Sequence, residues 1–273
     1  MRTISSERVT SAVKDLCVKA NVFLAKEMLN RLRSAHSAEK NSSAKRIIEA
    51  IIKNAGIAAK EGFAICQDTG MPCVFVEIGQ DVRIEGDFKK AINKGIDQGY
   101  KEASLRSSVI KDPLKRGKPG YTPAVIHTEI TGGSKLKLTV LPKGFGCENK
   151  AQLKMFNPTV KIDQVREFII GVVKNAGPDA CPPYVVGIGV GGTADYAMLL
   201  AKKALLKKIG RPLTGLERRL LKEINKLNIG PMGLGGKNTC LSVNIETYPT
   251  HIAGLPVAVN ISCHALRSAT AVL

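Results

Sequence analysis

The chain has 273 residues, enough for one large domain or two small ones around a buried core, and 44% of them are apolar. Its 41 Lys and Arg residues outnumber its 23 Asp and Glu residues and give a formal net charge of +18, which favours an anionic partner. Seven cysteines cannot all pair, which argues against a disulfide scaffold. No apolar run reaches the roughly 20 residues that span a bilayer, and the first residues lack a signal peptide's apolar core, so we expect a cytoplasmic protein without membrane contact.

The first half of the chain alternates predicted helices with a predicted strand. Apolar residues at helical spacing predict helices over residues 6–37 and 43–61, which would form a helical N-terminal layer. The apolar run 73–78 predicts a strand, and residues 87–104 predict another helix. Residues 105–121 are rich in Arg, Lys, Ser, Pro and Gly, which predicts a functional loop.

The second half mixes both element types. Two β-rich runs, 123–130 and 135–142, flank Thr131-Gly132-Gly133-Ser134 and predict a hairpin. The same patterns predict three helices and three strands farther on: helices 160–175, 194–208 and 215–227, and strands 184–188, 239–246 and 256–262. With no repeat and no linker, the pattern predicts an α/β protein with mixed sheets, forming a single compact domain over residues 1–273.

Two glycine-rich segments need a separate interpretation. The segment Gly187-Ile-Gly189-Val-Gly191-Gly192 satisfies the dinucleotide-binding pattern G-x-G-x-x-G. No acidic residue for a ribose follows about 20 residues later, and the next predicted element is a second helix instead of a parallel strand. Close packing of a strand against a helix, or an anion facing the loop amides, remain the alternatives. The segment around Gly236 fails as a phosphate loop, because Pro231 and Asn238 stand at positions that need Gly and Ser or Thr.

The positive charge also raises the alternative of a basic nucleic-acid-binding or redox-sensing protein. The chain has no Trp, only seven Phe and five Tyr, and no segment that interleaves aromatic and basic residues as a base-stacking platform would. It also lacks the Cys and His spacing of a zinc finger. We therefore read most lysines as solvated helix faces and expect no nucleic acid. A small dicarboxylate would benefit from the same positive field.

Three cysteines lie far apart in sharply marked contexts: Cys66 in Ile-Cys-Gln-Asp-Thr-Gly, Cys181 in Ala-Cys-Pro-Pro and Cys263 in Ser-Cys-His. Three thiolates that converge can hold an iron–sulfur cluster and leave one iron without a protein ligand. Such an iron can act as a Lewis acid on a small hydroxy acid. The cysteines on helix-like or strand-like stretches are expected to be buried and structural: Cys17, Cys73 and Cys240.

Several further motifs accompany these cysteines in a fixed order along nearly the whole chain. They are Cys66-Gln67-Asp68-Thr69-Gly70, Ser104-Leu105-Arg106 with Asp112-Pro113-Leu114, Lys143-Gly144-Phe145-Gly146 with Glu148-Asn149-Lys150, Cys181-Pro182-Pro183 with its glycine loop, Gly233-Leu234-Gly235-Gly236, Pro249-Thr250-His251 and Cys263. Together they resemble the class I, iron–sulfur-dependent fumarate hydratases and L-tartrate dehydratases. The match is to the α subunit of the two-subunit form, which corresponds to the N-terminal domain of the single-chain form.

The resemblance implies a [4Fe-4S] cluster held by Cys66, Cys181 and Cys263, with the fourth iron as the substrate site. It also implies substrate contacts from other residues: Gln67, Asp68, Arg106, His251 and a glycine amide of Gly144 or Gly146. Soft sulfur ligands suit iron–sulfur chemistry.

The expected roles follow from side-chain chemistry. Arg106 would bind a substrate carboxylate through a two-point fork, and Gln67 would donate a neutral hydrogen bond. Asp68 and His251 are the candidates for proton handling or for orienting the substrate. His251 is the better proton carrier, because histidine side chains change protonation closest to neutral pH. The hypothesised reaction is reversible hydration of fumarate to L-malate, and the alternative is dehydration of L-tartrate to oxaloacetate.

Two features qualify the resemblance. Cys147 stands where the family usually has Ser, and we expect this substitution to leave the site unaffected. The single-chain relatives have a further domain that supplies more substrate contacts and the proposed general base. The resemblance therefore implies a separate β subunit as partner and a hetero-oligomer of two α and two β chains.

Overall fold

The computed structural model describes all 273 residues and has ten β-strands, eight α-helices and one 3₁₀ turn. The predicted α/β class, with mixed sheets and helices, is confirmed. Contacts within the chain group it into two compact units of non-contiguous segments, a division that the sequence patterns had not indicated. Unit 1 comprises Met1–Ala25, Ala55–Phe145 and Arg267–Leu273, and unit 2 comprises Lys26–Asn54 and Gly146–Leu266. That residues 1–273 act as one hydro-lyase domain stays a prediction.

Unit 1 is built on a four-stranded mixed sheet with strand order β10-β5-β2-β4. Its strands are β2 (Met71–Gly79), β4 (Val125–Thr131), β5 (Leu136–Lys143) and β10 (Ala269–Val272). Strand β2 is parallel to β4 and antiparallel to β5, which is antiparallel to β10. A two-stranded parallel sheet joins β1 (Arg2–Ser5) to β3 (Val82–Glu85).

The predicted hairpin of residues 123–130 and 135–142 is wrong. Strands β4 and β5 do not pair with each other, because β2 lies between them. The central residues of β2 are buried on both faces, which suits an interior position in a sheet. The intervening Thr-Gly-Gly-Ser loop closes over the end of β2 instead, where Gln80 N donates to Thr131 O (2.9 Å) and Asp81 N donates to Gly133 O (3.1 Å).

Two helices of unit 1, α1 (Ser6–Val22) and α4 (Phe88–Glu102), pack closely against each other. A Cβ atom at Gly95 would lie 2.5 Å from the Thr10 carbonyl oxygen, so glycine is required for this approach. The predicted single helix over residues 6–37 is wrong in this respect, because α1 ends at Val22 and a second helix begins at Lys26.

Unit 2 has its own four-stranded sheet with order β6-β9-β7-β8. Its strands are β6 (Gln152–Phe156), β7 (Tyr184–Gly192), β8 (Cys240–Thr250) and β9 (Leu255–Ser262). Its helices are α2 (Lys26–Ala38), α6 (Ile162–Ala176), α7 (Ala194–Ala204) and α8 (Gly215–Asn225), with a 3₁₀ turn at Pro231–Gly233. Helices α3 (Ser42–Glu61) and α5 (Phe145–Glu148) each span a unit boundary.

The dinucleotide-like glycines lie inside β7 and not in a turn, which corrects the predicted strand end at residue 188. A Cβ atom at Gly187 would lie 2.2 Å from the Ala201 carbonyl oxygen, and one at Gly189 would lie 2.0 Å from that of Ala197. These glycines therefore let helix α7 approach the sheet, as the packing interpretation proposed. The element after α7 is a second helix, α8, as expected, and the parallel partner of β7 is the later strand β8, so the crossover between them runs through two helices.

Strands β1, β3, β6 and β10 carried no usable sequence signal. Each has only four or five residues and is mostly exposed or half-buried. The remaining predicted helices and strands are present, with ends displaced by a few residues. None of the helices combines the length and apolar character that crossing a membrane would require.

Candidate functional site

The seven cysteines, all thiols, fall into two groups by burial. Cys66, Cys181 and Cys263 are half-buried, whereas the other four are buried: Cys17, Cys73, Cys147 and Cys240. The burial of Cys17, Cys73 and Cys240 agrees with the structural role expected for them. Burial raises the pKa of the Cys17 and Cys240 thiols to about 12, so these thiols stay protonated near neutral pH.

The three half-buried thiols fit an iron–sulfur cluster by donor chemistry, because soft sulfur donors favour iron–sulfur sites. No group of three or more His, Cys, Asp and Glu side chains is placed to hold a single metal ion. A cubane cluster does not need such a group, since each thiolate binds a different iron of the cube. Cys66 belongs to unit 1, and the other two cysteines belong to unit 2.

The Cys66 loop of unit 1 is anchored by buried polar side chains. Ile65 N donates to the carbonyl oxygen of Asn21 (2.9 Å). Arg267, only 4% exposed, donates from Nη2 to the Asp68 carbonyl oxygen (2.5 Å) and from Nε to Asn21 Oδ1 (3.3 Å). The chain is therefore held at Ile65, just before Cys66, and at Asp68, two residues after it, while the Cys66 thiol remains half-buried.

The same loop is fixed at its end by a buried tyrosine and by the Arg106 segment. Tyr100 is 1% exposed, and its hydroxyl donates to the carbonyl oxygens of Thr69 (2.9 Å) and Gly70 (3.3 Å). Burial raises the pKa of Tyr100, so its hydroxyl remains a donor across the physiological range. Thr69 Oγ1 donates to the Arg106 carbonyl oxygen (3.1 Å), which places Arg106 beside the loop with its side chain exposed.

The Asp68 carboxylate connects this loop to the glycine that was expected to bind substrate. Its Oδ1 accepts from Gly70 N (3.0 Å), and its Oδ2 accepts from Phe145 N (2.8 Å). A Cβ atom at Gly144 would lie 3.2 Å from Oδ2, so the carboxylate lies against this glycine. Both oxygens already accept backbone hydrogen bonds, which makes Asp68 a residue that positions residues 144–145.

Gln67 is exposed beside Cys66, whose Sγ lies 3.4 Å from the Gln67 amide oxygen. Unit 1 therefore collects most of the residues that the sequence implicated in the site. They are Cys66, Gln67, Asp68, Arg106 and Gly144.

In unit 2, a histidine joins the segments of Cys181 and Cys263. His264 Nδ1 lies 3.1 Å from the Cys181 carbonyl oxygen, and since a carbonyl only accepts, this nitrogen carries the proton. Cys181 has φ of +57°, a left-handed conformation that non-glycine residues adopt rarely. The histidine next to one predicted ligand thus holds the backbone of another.

Cys147 packs under the segment that leads to Cys181. It is buried, and its Sγ donates to the Ala180 carbonyl oxygen (3.4 Å). Tyr184, a core residue nearby in sequence, donates from its hydroxyl to the Gly177 carbonyl oxygen (2.5 Å). Burial gives Cys147 a packing role and leaves its thiol less accessible than the half-buried thiols of the three predicted ligands.

His251 and Gly146 also belong to unit 2. His251 lies in the turn after β8, is exposed, and accepts a hydrogen bond at Nδ1 from Ala253 N (3.2 Å). Thr250 Oγ1 donates to the Gly254 carbonyl oxygen (3.0 Å) and closes this turn. Gly146 is exposed within α5. The contact of His251 with Ala253 is local to its turn, so its predicted role in proton handling stays a prediction.

Sequence reasoning missed the residues that hold the site in place: Asn21, Tyr100, His264 and Arg267. The sequence marks His264 only as the residue that follows Cys263. Nothing in the local sequence marks Asn21 or Arg267, since they act through contacts with residues 44 to 246 positions away.

Comparisons with known proteins agree on one group. A family model described as fumarate hydratase (Fumerase) matches residues 10–272. A protein of Methanocaldococcus jannaschii, provisionally named L(+)-tartrate dehydratase subunit alpha, is 38% identical over 275 residues, covering 96% of this chain and 96% of that protein. Proteins of Escherichia coli and Shigella boydii, named L(+)-tartrate dehydratase subunit alpha, are 27% identical over 272 residues, covering 96% of this chain and 90% of each relative.

Proposed function

Because the chain belongs to the fumarate hydratase (Fumerase) family of hydro-lyases, we propose that it is the α subunit of a [4Fe-4S]-dependent dehydratase for a small 2-hydroxydicarboxylate. One observation carries the proposal beyond family membership. Among seven cysteines, the three that are only half-buried are the three that occupy the predicted ligand positions. Random burial of free thiols would favour the core for all seven.

The proposed substrate is L(+)-tartrate, which would be dehydrated to oxaloacetate. The sequence analysis placed fumarate hydration first, but the names of relatives at 38% and 27% identity favour the tartrate alternative. Interconversion of fumarate and L-malate is the second candidate, supported by the description of the matching family. L(+)-tartrate and L-malate differ by one hydroxyl group, and both carry the two carboxylates that a basic site would bind.

Cys66, Cys181 and Cys263 would hold the cluster, which when bound supplies a Lewis-acidic iron to the substrate hydroxyl. Arg106 would bind one substrate carboxylate through its planar fork. Gln67 would donate a neutral hydrogen bond, and the amide of Gly144 or Gly146 would bind a carboxylate oxygen. Asp68 would orient the substrate site by holding residues 144–145 through its contact with Phe145 N.

A second chain completes the proposed enzyme. The relatives are named as alpha subunits, which supports a partner subunit for this chain. We place the general base that removes the substrate's carbon-bound proton on that partner and keep His251 as a proton carrier on this chain. An assembly of two α and two β subunits would bring both contributions together.

The test is an activity assay on the complete enzyme. The tagged chain would be purified anaerobically from its source cells with its second subunit, and L(+)-tartrate, L-malate and fumarate would be assayed side by side. The proposal expects turnover of L(+)-tartrate with a kcat/KM above that for L-malate. Faster turnover of L-malate and fumarate would move the assignment to the second candidate, and a complex that turns over none of these acids would refute the dehydratase assignment.

A further inference from the structure

The loop predicted to be functional contains an ordered ribbon, residues 109–120, which we call the basic hairpin. Val109 and Gly120 exchange two backbone hydrogen bonds, at 2.9 and 2.8 Å. Asp112 and Arg116 form a second bridge, in which Arg116 N donates to the Asp112 carbonyl oxygen (2.9 Å). The ribbon therefore has defined backbone geometry, unlike a flexible connection.

The tip of the basic hairpin is locked by an aspartate. The Asp112 carboxylate accepts from Leu114 N (3.0 Å) and from Lys115 N (2.9 Å), an Asx-type turn. Arg116 and Gly117 follow in the left-handed region, with φ of +66° and +96°. This turn holds the Leu114 side chain in solvent, where it is 91% exposed.

The charge of the basic hairpin is unbalanced. Its cations are Lys111, Lys115, Arg116 and Lys118. None of these four forms an ion pair within the chain, and the single anion, Asp112, is occupied by the turn. Other cations of the same unit do find partners, such as Lys101 with Asp97 at 2.7 Å.

We propose that the basic hairpin docks into the second subunit, on a surface with an apolar pocket for Leu114 and an acidic rim for the four cations. Burial of an exposed leucine in a pocket supplies binding free energy, and opposite charges raise the association rate and set the orientation. Because the ribbon is already ordered, little conformational entropy is lost on docking.

Two other occupants fit less well. A second copy of this chain also carries a net charge of +18, so its surface repels the basic hairpin. Nucleic acid would satisfy the cations, but residues 109–120 contain no aromatic side chain on which a base could stack, and a phosphate backbone offers no pocket for Leu114. The inference relies on the proposed function only for the existence of a second subunit.

The test measures binding of the full-length chain to its purified second subunit. Leu114→Ala should weaken the complex by about 10- to 100-fold. The triple variant Lys111→Glu, Lys115→Glu and Lys118→Glu should weaken it further and remove most of its salt dependence. A matched triple variant at exposed lysines elsewhere, Lys45→Glu, Lys53→Glu and Lys89→Glu, makes the same charge change and should bind like the wild type.

Circular dichroism melting of each variant separates lost binding from lost folding, and all of them should melt near the wild-type temperature because the changed side chains are exposed. Unchanged affinity in both hairpin variants would overturn the proposal. So would a hairpin-dependent mobility shift of duplex DNA, or Leu114-dependent self-association, with subunit binding intact. A complex that depends on the basic hairpin but turns over no hydroxy acid would refute the proposed function alone.

Discussion

At the scale of single residues, cysteine burial gives the chain two classes of thiol with different reactivity. The thiolate is the reactive form, and a thiol with a pKa of about 12 is ionised in only about one molecule in ten thousand at pH 8. Cys17 and Cys240 are in this position. Cys66, Cys181 and Cys263 are only half-buried, so the core does not shield their thiols to the same extent.

We therefore expect an aromatic disulfide reagent at pH 8 to label three thiols per metal-free chain quickly and the remaining four slowly. Peptide mapping should place the fast label on Cys66, Cys181 and Cys263. Fast labelling of Cys240 at pH 8 would contradict the two-class description.

Arg106 is expected to act through the shape of its guanidinium. Arg106→Lys keeps the positive charge but loses the planar fork that binds a carboxylate at two points. A loss of about 10- to 100-fold in kcat/KM is expected from one charged hydrogen bond, with the iron content unchanged. Arg83→Lys, at an exposed position of β3, is the matched control. Wild-type kinetics in Arg106→Lys would remove Arg106 from the substrate site.

His264 is a positioning residue, because its ring donates a hydrogen bond to the backbone carbonyl of Cys181. His264→Ala removes the donor and should speed cluster loss to an iron chelator under anaerobic conditions. His264→Asn offers an amide donor in a similar place and should slow that loss again. The measurement is the decay of the cluster absorbance, which does not depend on turnover. Equal decay in the wild type and His264→Ala would show that the contact does not stabilise the site.

At the scale of elements, the glycines of β7 show how one pattern can mislead. The sequence of a dinucleotide loop occurs here inside a strand, because helix α7 needs bare backbone to approach the sheet. Gly189→Ala should destabilise the protein by about 1–3 kcal/mol or more, since its Cβ would overlap the Ala197 carbonyl.

Urea denaturation with a matched control tests this packing. Gly171→Ala lies within α6, where a Cβ atom meets nothing within 4 Å. It should stabilise the helix by up to about 1 kcal/mol, since alanine has the higher helix propensity. If both variants lower the free energy of unfolding equally, steric packing at β7 is not the reason for Gly189.

The local elements could be foreseen from the sequence, but their pairing could not. Apolar periodicity located most helices and the long strands, because burial of one face leaves a repeat in the chain. It gave no sign that β2 would separate β4 from β5, since strand order depends on contacts remote in sequence. The motif residues of the site could be found because each motif is local in the sequence. Asn21, Tyr100 and Arg267 support the site through contacts with residues remote in sequence, so nothing in the local sequence indicates their role.

At the scale of the whole molecule, the net charge of +18 fits both proposed partners of the chain. It favours a doubly charged dicarboxylate as substrate and a partner subunit with acidic surface. Most of the charge lies on exposed lysines, while two arginines contact the Cys66 loop: Arg106 through its backbone and the buried Arg267 through its side chain. The field is therefore general, and selectivity must come from the few residues at the site.

The central claim is that three thiols of one chain hold one [4Fe-4S] cluster. Iron and acid-labile sulfide would be measured in anaerobically purified wild type and in Cys66→Ala, Cys181→Ala, Cys263→Ala and, as control, the buried Cys73→Ala. The account predicts about four irons and four sulfides per chain in the wild type and the control, with most of both lost in each of the three ligand variants. Full iron and sulfide content in any one of those three variants would contradict it.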